Sequence, residues 1–333
     1  EVQQAILDTA RFWLDRGVDG FRLDVVNFYF HDKQLRDNPP RTHGKSFGTQ
    51  LEIPDPYSDQ QHVYDKSQPE NLEFLERFRA LIDEYPDRFT VGEIGDDYPN
   101  ERSAEYTRGQ TRLNTCYNTD MMSGARKELT ASIIREPLEE FLKYPDSWPS
   151  WAFTNHDVVR AASRWHPGDG FGHDPRLSKM LIALLGTLYG TVFMYQGEEL
   201  GLPEAKLKRE ELRDPWGIRL YPKWQGRDGC RTPMPWDEKP LKSWLPVPAS
   251  HNDLNVAAQE KDKDSILNFT REFLKWRKTK PELRDGDIKF IETGDKKLLA
   301  FSRGTLNCVF NLGPDEKIWQ GETLGPYGFS FSG

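Results

Sequence analysis

Apolar residues recur at helical spacing in five parts of the chain, and short apolar runs of β type lie between them. The first predicted helix ends at Gly17 and is expected to bury one face, formed by Val2, Ile6, Ala10, Trp13 and Leu14. Further helices are expected from Pro69 to about Tyr85 and at about 132–144, 177–189 and 265–278. Strands are expected at 20–24, 89–93, 112–117, 151–155 and 191–195, the last of them buried.

This alternation of strands and helices predicts an α/β fold with a parallel sheet. A (β/α)8 barrel is such a fold, and it needs about eight strands, whereas the periodicity indicates about five. Residues 197–255 form an irregular insertion rich in Pro and Trp. From 281 to 333, short strands alternate with glycine turns. The prediction is a partial barrel over 1–280, followed by a small antiparallel β domain over 281–333.

Three of the predicted strands lead into a carboxylic acid, which is Asp24, Glu93 or Asp157. Arg22 lies two residues before Asp24, so both side chains point to the same face of their strand. His156 stands directly before Asp157. Acids, an arginine and a histidine that meet at strand ends are suited to breaking a glycosidic bond, because that reaction uses paired carboxyl groups.

Composition limits which kinds of partner and which cellular compartment are expected for this chain. The chain has 333 residues and a net charge of -8, which argues against nucleic acid or an anionic membrane as a partner. Its three cysteines are far apart and lack metal-type spacing, so free thiols in a reducing compartment are expected. No apolar run of about 18 residues and no signal peptide is visible, so a cytoplasmic location is expected.

Five segments carry a family resemblance that covers most of the chain. In chain order they are GFRLD at 20–24, VGE at 91–93, NHD at 155–157, YQGEE at 195–199 and GRDGCRTPMPW at 226–236. They resemble the α-amylase family, glycoside hydrolase family 13, and look most like its bacterial α-glucosidases and oligo-1,6-glucosidases. The family's earlier motif with an Asp and a His, and the cation-binding loop of many members, do not appear here.

The resemblance therefore implies the C-terminal portion of a (β/α)8 enzyme, lacking roughly the first three of its eight βα units. The isolated chain is then expected to be inactive. No cofactor is expected, because a family cation site would lie outside this chain.

The resemblance also assigns roles to the three acids. Asp24 is expected to be the nucleophile, with Arg22 favouring its ionised form, and Glu93 the general acid and base. Asp157 would bind sugar hydroxyls and stabilise the transition state. Simpler alternatives are a structural Arg22–Asp24 pair, a Glu93 that starts a helix, and a helix N-cap at 155–157.

Substrate contacts follow from the same resemblance. His156 would hydrogen-bond the sugar, and Arg231 would help to bind the non-reducing glucose, although an exposed structural arginine is the alternative. Val25 occupies a position associated with linkage preference. Aromatic rings that could stack on sugar are Phe153, Tyr98 and Trp216, each with core packing as the alternative.

The function expected is that of a retaining, exo-acting α-glucosidase on short oligosaccharides. Val25 favours α-1,6 linkage, but Gly229, Cys230 and Pro235 depart from the oligo-1,6-glucosidase pattern, so the linkage stays open. One alternative is a transglucosylase of the same family, such as a sucrose isomerase or trehalose synthase. Another is a non-catalytic amylase-like module. The oligomeric state is left open.

Overall fold

The computed structural model describes residues 1–42, 56–122, 128–168, 170–237 and 243–333. Its contacts divide the chain into two compact units. The first consists of Glu1–Ala125 and Pro137–Trp151, and the second of Arg126–Glu136 and Ala152–Gly333. The domain boundary expected near residue 280 stays a prediction.

In the ranges that the structure describes, the first unit is built on four parallel strands, each paired with the next in chain order. They are β1 (Gly20–Leu23), β2 (Phe89–Glu93), β3 (Thr115–Asn118) and β4 (Pro149–Trp151). The helices are α1 (Val2–Asp15), α2 (Pro69–Ile82) and α3 (Pro99–Thr107), followed along the chain by α4 (Ala131–Phe141). The strand beginning at Gly20 needs glycine there, because a Cβ would lie 1.8 Å from the Phe89 carbonyl oxygen.

The core of the first unit confirms the helix predicted from Pro69 but corrects the face predicted for α1. Residues Leu7, Ala10 and Leu14 of α1 are buried, whereas Val2, Ile6 and Trp13 are exposed. The buried residues follow the i, i+3, i+7 spacing of a single helical stripe, and the exposed residues lie at its edge. The exposed side chains line an open groove of about 640 Å³, together with Arg22 and Asp24.

The strand that precedes Asp157 also differs from the prediction. Strand β4 ends at Trp151, which is paired with Asn118 at the end of β3, so no strand covers 152–155. Beyond it, the side chain of Asn155 accepts the main-chain N–H of Asp157 at 2.8 Å. An Asn side chain that bonds the backbone two residues later forms a turn and replaces a sheet bond.

Over its described residues, the second unit carries seven further α-helices and seven further strands. The helices are α5 (Ala161–Arg164), α6 (Pro175–Thr187), α7 (Pro215–Leu220), α8 (Ala249–Asn252), α9 (Val256–Lys261), α10 (Ile266–Lys278) and α11 (Glu282–Asp285). The strands are β5 (Thr191–Val192), β6 (Ile288–Ile291), β7 (Leu298–Arg303), β8 (Leu306–Asn311), β9 (Lys317–Trp319), β10 (Glu322–Leu324) and β11 (Phe329–Ser332).

The last six strands confirm the antiparallel character predicted after residue 281. Four of them form a sheet in the order β11-β8-β7-β6, and β9 pairs with β10. The strand predicted at 191–195 is shorter than expected, because β5 covers only Thr191–Val192. Its two residues are half-buried, so the prediction of a buried strand there is wrong.

Candidate active site

The guanidinium of Arg22 contacts two carboxylates at the ends of β1 and β2. Its Nη1 bonds Oδ1 of Asp24, and its Nη2 lies 2.7 Å from Oε2 of Glu93. Asp24 directly follows β1 and Glu93 ends β2, so the parallel pairing of these strands brings both acids to one edge of the sheet. The side chain of Asp24 is 74% exposed and that of Glu93 only 11%, which makes them chemically different carboxyl groups.

Two further groups hold Glu93. The hydroxyl of Tyr117, in β3, accepts a hydrogen bond from Arg22 Nη2 at 2.8 Å and also bonds Glu93. The main-chain N–H of Val25 donates to Glu93 Oε2 at 3.2 Å. Val25 has a φ of +35°, in the left-handed region that a β-branched residue rarely adopts. The turn after Asp24 therefore directs a backbone donor at Glu93.

The protonation of the groups around the two acids follows from burial and hydrogen bonds. Partial burial opposes the charge of Arg22, but hydrogen bonds to Asp24 and Tyr117 raise the pKa of its guanidinium above the ordinary value. Burial raises the pKa of Tyr29 to about 12 and also raises the pKa of Tyr117. Arg22 is therefore a fixed positive charge, and both phenols are protonated at neutral pH.

A second charged cluster, in the second unit, is centred on Asp157. Arg231 Nη2 lies 2.6 Å from Asp157 Oδ1, and His156 Nε2 lies 3.3 Å from Asp157 Oδ2. Arg231 also donates Nε to the His156 carbonyl at 2.6 Å. Asp157, His156 and Arg231, which the sequence singled out, are thus in direct contact with one another.

Arg227 belongs to the same cluster but was not assigned a role from the sequence. Its Nη1 lies 3.2 Å from Asp157 Oδ1, and its Nε donates to Asp214 Oδ2 at 2.9 Å. Burial opposes the charge of Asp214, but hydrogen bonds from Arg227 hold the pKa of that carboxyl below its usual value. The motif at 226–236 pointed to Arg227, whereas nothing in the sequence linked Asp214 to Asp157.

The loop that carries Asp157 is tied to two other loops by the buried residue Arg160. The Arg160 main-chain N–H donates to Glu204 Oε2 at 3.0 Å. Its Nη1 donates to the Gln196 carbonyl at 2.9 Å, and its Nη2 to the Cys230 carbonyl at 3.0 Å. Because Cys230 directly precedes Arg231, Arg160 connects the chain segments on both sides of the Arg231–Asp157 pair.

The buried Glu204 and the half-buried Glu198 adjoin this linkage. Burial raises the pKa of Glu198 and the pKa of Glu204 to about 7. The carboxylate of Glu198 accepts the Tyr195 N–H at 2.9 Å. Neither residue was predicted to have a role, although Glu198 lies in the motif at 195–199.

The aromatic candidates differ in exposure. Phe153 is buried, with its ring centroid 5.2 Å from that of Trp165, so the structure supports the packing role that the sequence left open. Tyr98 and Trp216 are 47% and 59% exposed, so neither is confined to core packing. The three cysteines are free, as predicted, and the structure shows that all three are buried.

The described residues offer neither a metal cluster nor a membrane-spanning helix. Within the ranges described, no three His, Cys, Asp or Glu side chains are grouped as a metal site requires. Over the same ranges, no helix is both long enough and apolar enough to cross a bilayer.

The two carboxylates that Arg22 joins lie at the carboxyl ends of neighbouring parallel strands, where α/β proteins of the barrel and open-sheet types carry their active sites. The model of the alpha amylase catalytic domain matches residues 1–286, and the chain therefore belongs to the alpha-amylase family. The resemblance drawn from the five motifs is thereby confirmed.

Its relatives include α-glucosidases and oligo-1,6-glucosidases. A probable alpha-glucosidase of Rhizobium meliloti (strain 1021) is 47% identical over 324 residues, which cover 94% of this chain and 58% of that protein. An oligo-1,6-glucosidase of Parageobacillus thermoglucosidasius is 26% identical, with 91% and 58% covered. The chain thus spans about 58% of the length of these curated relatives.

A solved structure supports the predicted fold class. The crystal structure of the alpha-glucosyl transfer enzyme XgtA is 40% identical and superposes with a TM-score of 0.90. The match covers 99% of this chain and 66% of that one. The predicted class, a partial (β/α)8 barrel followed by an antiparallel β domain, is confirmed.

Proposed function

We propose that this chain belongs to a retaining, exo-acting α-glucosidase that removes terminal glucose from short oligosaccharides. The observation that carries the proposal is the contact of Arg22 with both Asp24 and Glu93. Such an arrangement holds an exposed carboxylate beside an enclosed one, and retaining hydrolysis needs two carboxyl groups with different tasks. The relatives named α-glucosidase support the same substrate class.

In the proposed first step, Asp24 Oδ attacks the anomeric carbon as the bond to the leaving oxygen breaks. Glu93 transfers its proton to that oxygen, so the product leaves as an alcohol and Glu93 becomes a carboxylate. The glucosyl unit is then an ester of Asp24. In the second step, Glu93 takes a proton from water, the resulting hydroxide attacks the anomeric carbon, and Asp24 leaves as a carboxylate. Two inversions give α-glucose.

The remaining predicted residues are assigned to binding. Asp157 would stabilise the transition state, with His156 and Arg231 on the same sugar. The contacts of Arg231 and Arg227 with Asp157 support this role, because they hold its carboxylate in one position. This chemistry is carried by side chains alone, and we propose no cofactor for it.

The test is proton NMR of the complete gene product that carries residues 1–333, incubated with isomaltose and with maltose. Initial release of α-glucose from either sugar is expected, and the faster sugar identifies the preferred linkage. Initial β-glucose would contradict retention. Folded protein without turnover of either sugar would support the non-catalytic alternative.

An Asp24→Asn variant tests the nucleophile in the same assay. Turnover is expected to fall by about 10⁴-fold or more, because an amide cannot form the ester intermediate. Asp19→Asn is the matched control, since Asp19 lies just before β1 with its side chain 98% exposed. Substantial activity in Asp24→Asn would remove Asp24 from the mechanism.

A transglucosylase is the second candidate, and the likeness to the alpha-glucosyl transfer enzyme XgtA favours it. Both reactions share the glucosyl ester and differ in whether water or a sugar hydroxyl attacks it. Product analysis at high sugar concentration separates them. Transfer products in excess of free glucose would favour the transglucosylase.

A further inference from the structure

The side chain of Asn27 joins the turn after Asp24 to the segment after Glu93. Its Nδ2 donates to the Gly95 carbonyl at 3.1 Å, and its Oδ1 accepts the Gly95 N–H at 3.1 Å. Both polar atoms of the Asn27 side-chain amide thus bond the backbone of one residue, Gly95. Asn27 is fully buried, so water does not compete for these bonds.

Both ends of this connection lie close to the candidate acids along the chain. Asn27 is three residues after Asp24, and Gly95 is two residues after Glu93. Between them, the N–H of Val25 donates to the Glu93 carboxylate at 3.2 Å. The Asn27–Gly95 pair therefore fixes the position of the backbone around Val25, whose N–H donates to Glu93.

Neighbouring bonds keep Asn27 itself in place. Its Nδ2 also donates to Ser67 Oγ at 3.0 Å, and its carbonyl accepts the Ser67 N–H at 2.6 Å. Lys66 Nζ donates to the same Gly95 carbonyl at 3.1 Å. The carbonyl of Val26 accepts a bond from Asn71 Nδ2 at 2.7 Å. The turn that contains Val26 and Asn27 is thus bonded to Gly95 after β2 and also to Ser67 and Asn71.

We infer that Asn27 is a positioning residue that sets the place of Glu93 relative to Asp24. This inference rests on the proposed function, in which Glu93 protonates the leaving oxygen. The geometry of that proton transfer depends on the backbone at 93–95, whereas attack by Asp24 on a substrate with an excellent leaving group does not need the proton. Loss of the Asn27 amide should therefore lower kcat/KM more for substrates with a poor leaving group than for substrates with an excellent one.

The test variant is Asn27→Asp, which keeps the size of the side chain but replaces the Nδ2 donor with an oxygen that faces the Gly95 carbonyl. The matched control is Asn311→Asp. Asn311 is also fully buried, donates Nδ2 to the Gly325 carbonyl at 2.8 Å and accepts the Gly313 N–H at 3.1 Å. Both substitutions bury a carboxylate against backbone carbonyls, but only one adjoins Glu93.

The test compares kcat/KM on two substrates, measured with the complete gene product. For Asn27→Asp, kcat/KM is expected to fall about 100-fold on the preferred disaccharide and less than about 5-fold on 2,4-dinitrophenyl α-glucoside. For Asn311→Asp, the ratio between the two substrates should stay within about 3-fold of wild type. Equal loss on both substrates in Asn27→Asp would assign Asn27 a structural role only and overturn the inference.

A second measurement needs no turnover. Asn27→Ala removes the acceptor of the Gly95 N–H, so deuterium exchange in a peptide covering 93–98 should rise about 10-fold or more, while Asn311→Ala leaves that peptide unchanged. Unchanged exchange in Asn27→Ala would overturn the inference even if the enzyme is active. If the wild type turns over neither substrate, the proposed function fails, and the exchange result still decides whether Asn27 holds the segment after Glu93.

Discussion

The main-chain N–H of Val25 donates a hydrogen bond of 3.2 Å to Oε2 of Glu93. It does so from a left-handed backbone with φ +35° and ψ +52°. Left-handed backbone is unfavourable for L-residues and most of all for β-branched ones. Local strain of this kind persists where the surrounding contacts determine the conformation, and it gathers at functional sites.

Replacing Val25 with glycine is therefore expected to stabilise the fold. The left-handed conformation costs an L-residue roughly 1–2 kcal/mol, and the extra chain entropy of glycine offsets roughly 0.5–1 kcal/mol of the gain. The free energy of unfolding should rise by about 0.5–1 kcal/mol in denaturant titration. Val63, which is similarly exposed and has no positive φ, is the control. Val63→Gly should destabilise, and an equal loss in both variants would mean that Val25 carries no strain.

Arg22 is expected to need its planar guanidinium rather than only its charge. Lysine at this position can reach one carboxylate at a time, whereas Arg22 contacts Asp24 and Glu93 through different nitrogens. Arg22→Lys should lower kcat by about 100-fold in a disaccharide assay, through misplacement of the two acids. Arg11→Lys, at the exposed pair with Glu84, should leave kcat unchanged. Full activity in Arg22→Lys would show that one contact suffices.

Much of the first unit could be predicted because its signals are local. The strand ends at Asp24 and Glu93 follow from short apolar runs, and the contact between Arg22 and Asp24 follows from the two-residue period of a strand. The contact of Arg22 with Glu93 depends on the register between β1 and β2, which no single run of residues encodes. The left-handed turn at Val25 was missed because valine gives no signal for it.

In the second unit, the contacts around Asp157 join residues far apart in the sequence. Arg231 and Arg227 lie in a motif, but their common partner is some 70 residues away. Asp214 bonds Arg227 from the N-cap of α7, a helix of six residues that is too short for its periodicity to be recognised in the sequence. The strand predicted at 151–155 begins two residues later than the observed β4 does, because apolar residues at 151–153 continue beyond the last strand pair.

The buried Glu204 should make the stability of the fold depend on pH. An unfolded glutamate titrates near pH 4.3, and burial raises the pKa of Glu204 to about 7, so between these values the folded chain holds the extra proton. The free energy of unfolding contributed by Glu204 is therefore greatest below about pH 4 and falls as the pH rises to about 7, by on the order of 3 kcal/mol. Glu204→Gln should remove this decline, as measured by urea titration at pH 5 and pH 8.

The comparison with wild type is needed because His251 acts in the opposite direction. Burial lowers the pKa of His251 to about 4, so its contribution to stability rises with pH between about 4 and 6.5. This contribution is common to wild type and Glu204→Gln and cancels in their difference. Glu322→Gln, at an exposed site, should retain the wild-type profile. A Glu204→Gln profile parallel to wild type would show that Glu204 stays ionised when folded.

Gly229 has no room for a side chain. A Cβ there would lie 2.0 Å from Glu204 Oε1 and 2.4 Å from Gln225 Nε2. Gly229→Ala is expected to displace the carboxylate that accepts the Arg160 N–H and to lower the free energy of unfolding by about 1–3 kcal/mol, the usual effect of overpacking. Gly325→Ala, where a Cβ meets nothing within 4 Å, should change it little.

A double-mutant cycle identifies the clash as the cause. Glu204→Asp removes one methylene and withdraws the carboxylate, so it should be less harmful when residue 229 is alanine than when it is glycine. A coupling of about 0.5 kcal/mol or more is expected from urea titration of the four variants, as for residues in direct contact. Additive effects would mean that Gly229 serves the local backbone instead. A coupling of this size would show that the lack of a side chain at position 229 leaves room for the Glu204 carboxylate, which accepts the Arg160 N–H.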